Sequence, residues 1–289
     1  MATISRTFYD ATVATDGTGD YATIAAAITD NKRTIYVRQG SYAGFTQDQS
    51  QSKIFVEPGS TITSDCNFTG TNCSFVVGAG TDIQGEVDVT TGTGAYIRFE
   101  NGCSIDQIDI NTARCYVNGG GWGTSVDATG TAGAALDSNG DDVIMENIAT
   151  NTDTGGSDFY ALLVSGDRNI VRLVKIVDSD VQGALFNGSA DLLMIGCANL
   201  NSDNDNLNVR GARNRIIGNY LVNGLRGIDL DASGDDSVMV GNTISTASSQ
   251  SIFTASGNAN CCIVGNRLDG TPTDTDGSAT VSNNDETAF

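Results

Sequence analysis

Ile54-Phe55-Val56-Glu57-Pro58-Gly59-Ser60-Thr61-Ile62 decides the fold, because its pattern returns through the first half of the chain. In each return an apolar residue is followed three positions later by glycine. The instances are Val37–Gly40, Val56–Gly59, Val77–Gly80, Phe99–Gly102 and Val117–Gly120, and the glycine steps are 19, 21, 22 and 18 residues. A second phrase, Gly-x-x-Ile, keeps the same grid at Gly59–Ile62, Gly80–Ile83 and Gly102–Ile105. A repeat of about 20 residues marks a solenoid, in which each repeat buries its apolar face only against its neighbours.

Between residues 50 and 120 each coil reads as three short strands. Ile54-Phe55-Val56, Phe75-Val76-Val77, Tyr96-Ile97 with Phe99, and Cys115-Tyr116-Val117 stack as one ladder. Ile62, Ile83 and Ile105 form a second, and Phe68, Val89 and Ile110 a third. Parallel strands stack about 4.8 Å apart, so roughly eleven coils make a rod on the order of 50 Å long. Residues 118–133 are poor in large apolar side chains and read as a projecting loop. After it the register changes. New coils begin at Ala134, Ala161, Ala184, Leu207, Ile228 and Ile252, each followed by a second strand. Three of those strands end in Gly-Asn (Gly218-Asn219, Gly241-Asn242, Gly265-Asn266), which predicts stacked asparagines bonded along the axis. The repeat fades after Thr271. The expected organisation is an arm over residues 1–12, a solenoid over 13–271 and a polar tail or cap over 272–289.

The segment Asp16-Gly17-Thr18-Gly19-Asp20, then Tyr21 to Ile28, then Thr34-Ile35-Tyr36-Val37 and Gly40-Ser41-Tyr42 places a turn, a short helix over about 20–29, a strand and another turn. Asp20 is the expected helix cap, and Ile24, Ala27 and Ile28 share one helical face. Over residues 13–45 this resembles the start of pectin lyase-like proteins, pectin methylesterases in particular. The resemblance implies an all-β, single-stranded, right-handed parallel β-helix of about 11 coils, with the helix capping its open end. Farther along only the repeat architecture is shared.

Fifteen basic residues against 35 acidic give a formal charge of −20. Such a surface repels phosphate backbones and anionic headgroups, which argues against nucleic-acid and membrane partners. No histidine occurs, so no step can use imidazole as base, acid or metal ligand. The seven cysteines fall within strand-like phrases and read as small buried thiols. The first residues have no apolar stretch of a secretory leader, and no stretch approaches the roughly 18 apolar residues of a membrane span. The expectation is a protein made in the cytoplasm without a signal peptide.

Coil alignment predicts side-chain directions, since alternate strand positions face opposite ways. Ala161 and Leu163 should point inward, like Ala184 and Phe186. Arg210 should lie outside between Asn187 and Asp231, with Asn208 and Asp229 beside it. Arg210, Asp229 and Asp231 are therefore the candidate catalytic residues. Asn187, Asn208, Arg210, Asp231 and the glycine-flanked Trp122 are the candidate glycan contacts. A solvated salt-bridge ladder explains the same charges. The oxygen-rich stretches Asp203-Asn204-Asp205-Asn206 and Asp274-Thr275-Asp276-Gly277 are candidate Ca²⁺ loops, with Asp203 and Asp205 as ligands and no other cofactor implied.

Other family motifs are incomplete. Asn151-Thr152-Asp153, Gly140-Asp141-Asp142 and Gly234-Asp235-Asp236 resemble polygalacturonase phrases, but the histidine and Arg-Ile-Lys motifs are missing, and turn chemistry accounts for the paired acids. The pectin methylesterase Asp-Phe-Ile-Phe-Gly phrase is also missing. The leading expectation is a glycan-facing structural protein of a bacteriophage virion, a tailspike-like, receptor-binding or head-decoration protein that resembles tailspikes in architecture. It would meet a polysaccharide or cell-surface glycan and other virion proteins, and assemble as a homotrimer. The alternative is a polysaccharide lyase or glycosidase. A third reading is a protein-binding scaffold that uses residues 118–133 or the tail.

Overall fold

The computed structural model describes residues 8–128, 133–152, 159–179, 181–199, 201–245, 247–270, 272–275, 277 and 279–286. They wind into an all-β parallel solenoid with three strand-bearing faces per turn. The first face is a 13-stranded parallel sheet running from Ala11–Val13 to Thr280–Ser282. Thirteen strands delimit twelve turns, one more than the repeats predict. The other two faces run on from each other around the coil and pair only with their counterparts one turn away.

Each face contributes one inward column. On the first, Ile54, Phe75, Ile97, Val117, Met145 and Val171 stack in register. On the second, Ile62, Ile83, Ile105 and Val126 do so, and on the third Phe68, Val89 and Ile110. These side chains are fully buried and form one continuous core. Phe45, Phe68 and Phe75 meet edge-on or tilted at 5.2–5.8 Å near the N-terminal end, a favoured aromatic geometry.

The capping helix is shorter than predicted, Ile24–Thr29, and its cap is Thr23, whose side chain accepts from the Ala26 amide at 3.2 Å. Asp20 is engaged elsewhere: its carboxylate accepts from the Thr12 amide at 2.9 Å and pins the first strand to the turn. The buried helical face is the predicted Ile24, Ala27 and Ile28. Ala11–Val13 pairs with Thr34–Val37, so the solenoid begins inside the stretch read as an arm; residues 1–7 lie outside the described residues.

Residues 118–133 do not form one projecting loop. Ser125–Asp127 is a strand of the second face, paired on both sides, with Val126 in the core column. One apolar residue at the inward position suffices to hold it. Residues 129–132 lie outside the described residues. A second difference is one of register. Ala184 pairs with Leu162, not Ala161, so Leu162 and Val164 point inward and Leu163 outward. A shift of one residue exchanges the two faces of a strand. Beyond Thr271 the coil continues: Thr273–Asp274 and Thr280–Ser282 pair with the preceding turn.

The predicted asparagine ladder is present and one rung longer. Asn219, Asn242, Asn266 and Asn284 are linked amide to carbonyl at 3.0, 2.9 and 3.1 Å. Asn242 is fully buried, donates to the Ile216 carbonyl at 2.9 Å and accepts from the Asn219 amide at 3.0 Å. Replacing Asn242 with alanine orphans several buried groups, each at about 1–3 kcal/mol. The expected loss is about 3 kcal/mol, read as a lower urea midpoint. Six of the seven cysteines are buried and all are free thiols. Burial pushes Cys197 up to about 12, which makes it a structural, unreactive thiol.

Candidate functional site

The outward column of the third face gathers most of the candidate functional side chains. In register it runs Thr46, Asn67, Asp88, Asp109, Asp137, Leu163 and continues through Leu185, Asn208, Asp229 and Phe253. Residues that are far apart in sequence thus stand one rung apart, about 4.8 Å.

Asn208 and Asp229 form the centre of its C-terminal half. Asn208 donates to the Asp229 carboxylate at 3.3 Å, and Arg226 donates to the same oxygen at 2.6 Å. Arg210 donates to the Asn208 carbonyl oxygen at 3.1 Å and lies 3.6 Å from Asp231. Arg226 also donates to Gln250 at 3.2 Å, and its guanidinium sits 4.3 Å from the Phe253 ring centroid. Asp229 and Asn208 are buried, whereas Arg210 and Asp231 are open to solvent. Asp205 is buried beside this group, with the Asp229 carboxylate acting on its carboxyl. Burial, then the Asp229 carboxylate, pushes Asp205 up to about 6. Its Oδ1 and both side-chain polar atoms of buried Asn206 have no hydrogen-bond partner among the described residues. The arrangement offers a proton-holding carboxyl, amides, two guanidiniums and an aromatic ring around one spot.

The predicted cluster of Asn208, Arg210, Asp229 and Asp231 is therefore brought together. Asn187 stands exposed directly after Ala184–Phe186, one coil before Arg210. Trp122 stands elsewhere, on the corner between the first and second faces. Its indole N–H donates to the Leu173 carbonyl at 2.6 Å, and Lys175 lies 6.0 Å from its ring. Asp203 is exposed and Asp205 buried, and among the described residues no three acidic or thiol side chains gather to hold a metal ion. Asp276 and Asp153 lie outside the described residues. The paired acids serve turns and surface ion pairs: Asp141 and Asp142 hold Arg168, and the Asp235 carboxylate accepts from the Ala259 amide.

Two features escaped the sequence reading. Arg226 precedes the strand start assigned at Ile228, although two residues upstream of an inward-to-outward pair it still lies on the same rung. The stack of Asp88, Asp109 and Asp137 was one position upstream of residues already placed in the third ladder, Val89 and Ile110. Each of the three aspartates has one oxygen shut off from solvent with no hydrogen-bond donor among the described residues. Burial first, then Asp109, pushes Asp88 to about 6 and Asp137 to about 7, and Glu86 beside them rises to about 7. At the N-terminal end of this column, a polar cleft of about 830 Å³ opens between the capping helix and the first coils, lined by Thr46, Asn67, Asp65 and Gln49 among others.

The stacked faces define the chain as a right-handed parallel β-helix. A double mutant of the tailspike protein of E. coli bacteriophage HK620 is similar in structure, with a TM-score of 0.61 over 90% of this chain and 61% of that one, at 10% sequence identity. The chain thus spans less than two thirds of that tailspike chain, and the likeness is one of fold. No protein-family model and no curated protein matches the sequence.

Proposed function

We propose that this chain is a glycan-facing β-helix of a bacteriophage virion, built like a tailspike, with an N-terminal segment of the pectin lyase-like type and a homotrimeric assembly. The observation that carries the reading is the Asn208–Arg210–Arg226–Asp229 group on the third face. Fixed amides, guanidiniums and a carboxylate beside the Phe253 ring match the hydroxyls and the apolar face of a sugar. The strong negative charge favours neutral or amino-sugar glycans over uronic acids. The test is titration of the protein against a panel of neutral and acidic bacterial polysaccharides. Saturable binding that falls at least tenfold in Arg210→Ala and Asn208→Ala supports the reading; binding to none of them, or binding that both variants retain, sinks it.

A second reading, glycan hydrolysis, is favoured by one observation: buried Asp205, beside Asp229, keeps its proton up to about pH 6, well above an ordinary aspartate. Asp229 and Asp231, two strand positions apart, are separated by about 7 Å along the same face, within the spacing that glycosidase carboxyls use. Asp205 would supply the proton and Asp231 would activate water. New reducing ends are expected, with at least a hundredfold loss in Asp231→Asn while glycan binding persists. Absorbance at about 235 nm would instead mark β-elimination; an absence of reducing ends on a glycan that binds would end the hydrolytic reading.

A further inference from the structure

The first face is unlike the rest of the surface. Its outward positions carry long apolar runs, although they point away from the core, interrupted at Ser74, Asn118 and a few charged residues. One outward column runs Tyr96, Tyr116, Ile144, Ile170 and Leu193 in unbroken register. The neighbouring column runs Ile195, Ile217, Val240 and Val264. Toward the N-terminal end Tyr36, Phe55 and Val76 continue that second column, with Tyr36 and Phe55 stacked at 5.5 Å. All are partly or largely exposed, with Tyr96 at 40% and Ile195 at 37%. At its N-terminal end the Tyr9 ring lies 5.0 Å from that of Tyr36.

We infer that this strip is the face by which copies of the chain assemble, strip against strip around a shared axis. Three observations single out a second copy as the occupant. The first is area. Twelve rung steps of about 4.8 Å and a width of about 14 Å give the whole face, its polar rungs included, roughly 800 Å², about the area each partner buries in an interface of standard size. The second is charge. The outward ladder positions of this face carry Lys53, Arg98, Arg172 and Arg215 against Glu146 alone, in a chain of net charge −20. Copies of such a chain repel across their other faces and least across this one. Arg172 is moreover paired with Glu146, which leaves the middle of the strip without net charge. The third is shape. Continuous parallel pairing makes the face a regular sheet surface, and two such surfaces pack at about 10 Å with interdigitating Ile and Val side chains. A contiguous apolar patch of this size on a monomer marks an interaction surface.

The inference sharpens the proposed assembly by naming its face. It does not depend on glycan binding, so the two readings fail separately. The test is sedimentation equilibrium of the full chain at micromolar concentration, alongside the double variant Ile170→Glu, Ile217→Glu and a third-face control, Arg210→Glu. Wild type and control are expected at a whole multiple of the chain mass. The double variant is expected at a single chain mass with an unchanged far-ultraviolet circular dichroism spectrum. A monomeric wild type, or an assembly that survives in the folded double variant, overturns the inference. Cys262 gives a reading that needs no variant, because it lies on this face opposite Val238 and is the one cysteine that is not buried. In the assembled wild type it is expected to react with a thiol reagent at least tenfold more slowly than a free thiol. Full reactivity in an assembly of the expected mass also overturns the inference.

Discussion

Replacing Gly166 with alanine is expected to prevent the solenoid from closing, with a stability loss of about 4 kcal/mol or more and little soluble folded protein. The reason is distance. A Cβ on Gly166 would lie 2.0 Å from the carbonyl oxygen of Gly140 and 2.4 Å from its carbonyl carbon. Gly140 stands in the same relation to Thr112, and Gly211 to Ser189, at 2.0 and 1.6 Å. At this corner after the third strand, successive backbones touch without an intervening side chain. Backbone cannot rotate out of the way as a side-chain tip can, so relief requires the coils to part. Parting them stretches the flanking bonds, such as Ser165 N–H to the Ser138 carbonyl at 2.8 Å, and costs more than ordinary core overpacking of about 1–3 kcal/mol. Gly241 provides the contrast. Its φ is +64° with open space around it, so alanine there should cost only about 1–2 kcal/mol of backbone strain. Equal effects of Gly166→Ala and Gly241→Ala on the urea midpoint would refute the argument from close approach.

The fold was legible because a solenoid imposes the same burial demand once per coil. Val56, Val77 and Phe99 recur at the same place in the phrase, and so do Ile62, Ile83 and Ile105. Legibility failed where that demand leaves no contrast. In Tyr160-Ala161-Leu162-Leu163-Val164 every residue is apolar, so alternation cannot say which points inward, and the sequence-based parity slipped by one. The outward apolar strip was hidden for the same reason: in Val238-Met239-Val240 only the structure separates the buried methionine from its two half-buried neighbours. The site was legible where coil lengths stay regular. Leu207 and Ile228 are 21 residues apart, and their alignment correctly placed Asn208 beside Asp229. Arg226 was missed because it precedes the repeating phrase. The acidic stack was missed because Asp109 and Asp137 are 28 residues apart, across the segment where the register changes.

That acidic stack sets the second large effect, a stability that falls as pH rises through neutrality. Asp88, Asp109 and Asp137 face one another at rung spacing, with Glu86, Asp65 and Asp106 nearby and no cation among the groups that act on them. Folding raises the proton affinity of Asp88 to about 6 and of Glu86 and Asp137 to about 7, by burial first and mutual repulsion second. Between about pH 4 and 7 the folded chain therefore holds more protons here than the unfolded chain, and stability declines with rising pH over that window. Below it both states are protonated; above it the full penalty is present. Asn111 and Asn139 answer only part of the charge: Asn111 donates to Asp109 at 2.8 Å, and Asn139 donates to Asn111 at 2.9 Å. Asp109→Asn removes the central charge and keeps the shape. It is expected to stabilise the protein by about 2 kcal/mol at pH 8, allowing for the solvent that still reaches the stack, and to have no effect at pH 4. Carboxylates elsewhere titrate with the opposite sign, Asp142 and Asp191 being held low by Arg168 and Arg213, so the informative quantity is the difference between variant and wild type at each pH. Urea midpoints at pH 4, 6 and 8 measure it. A difference that is flat across this range, or a variant less stable at pH 8, would mean that the stacked carboxylates keep company with a bound cation and share no proton.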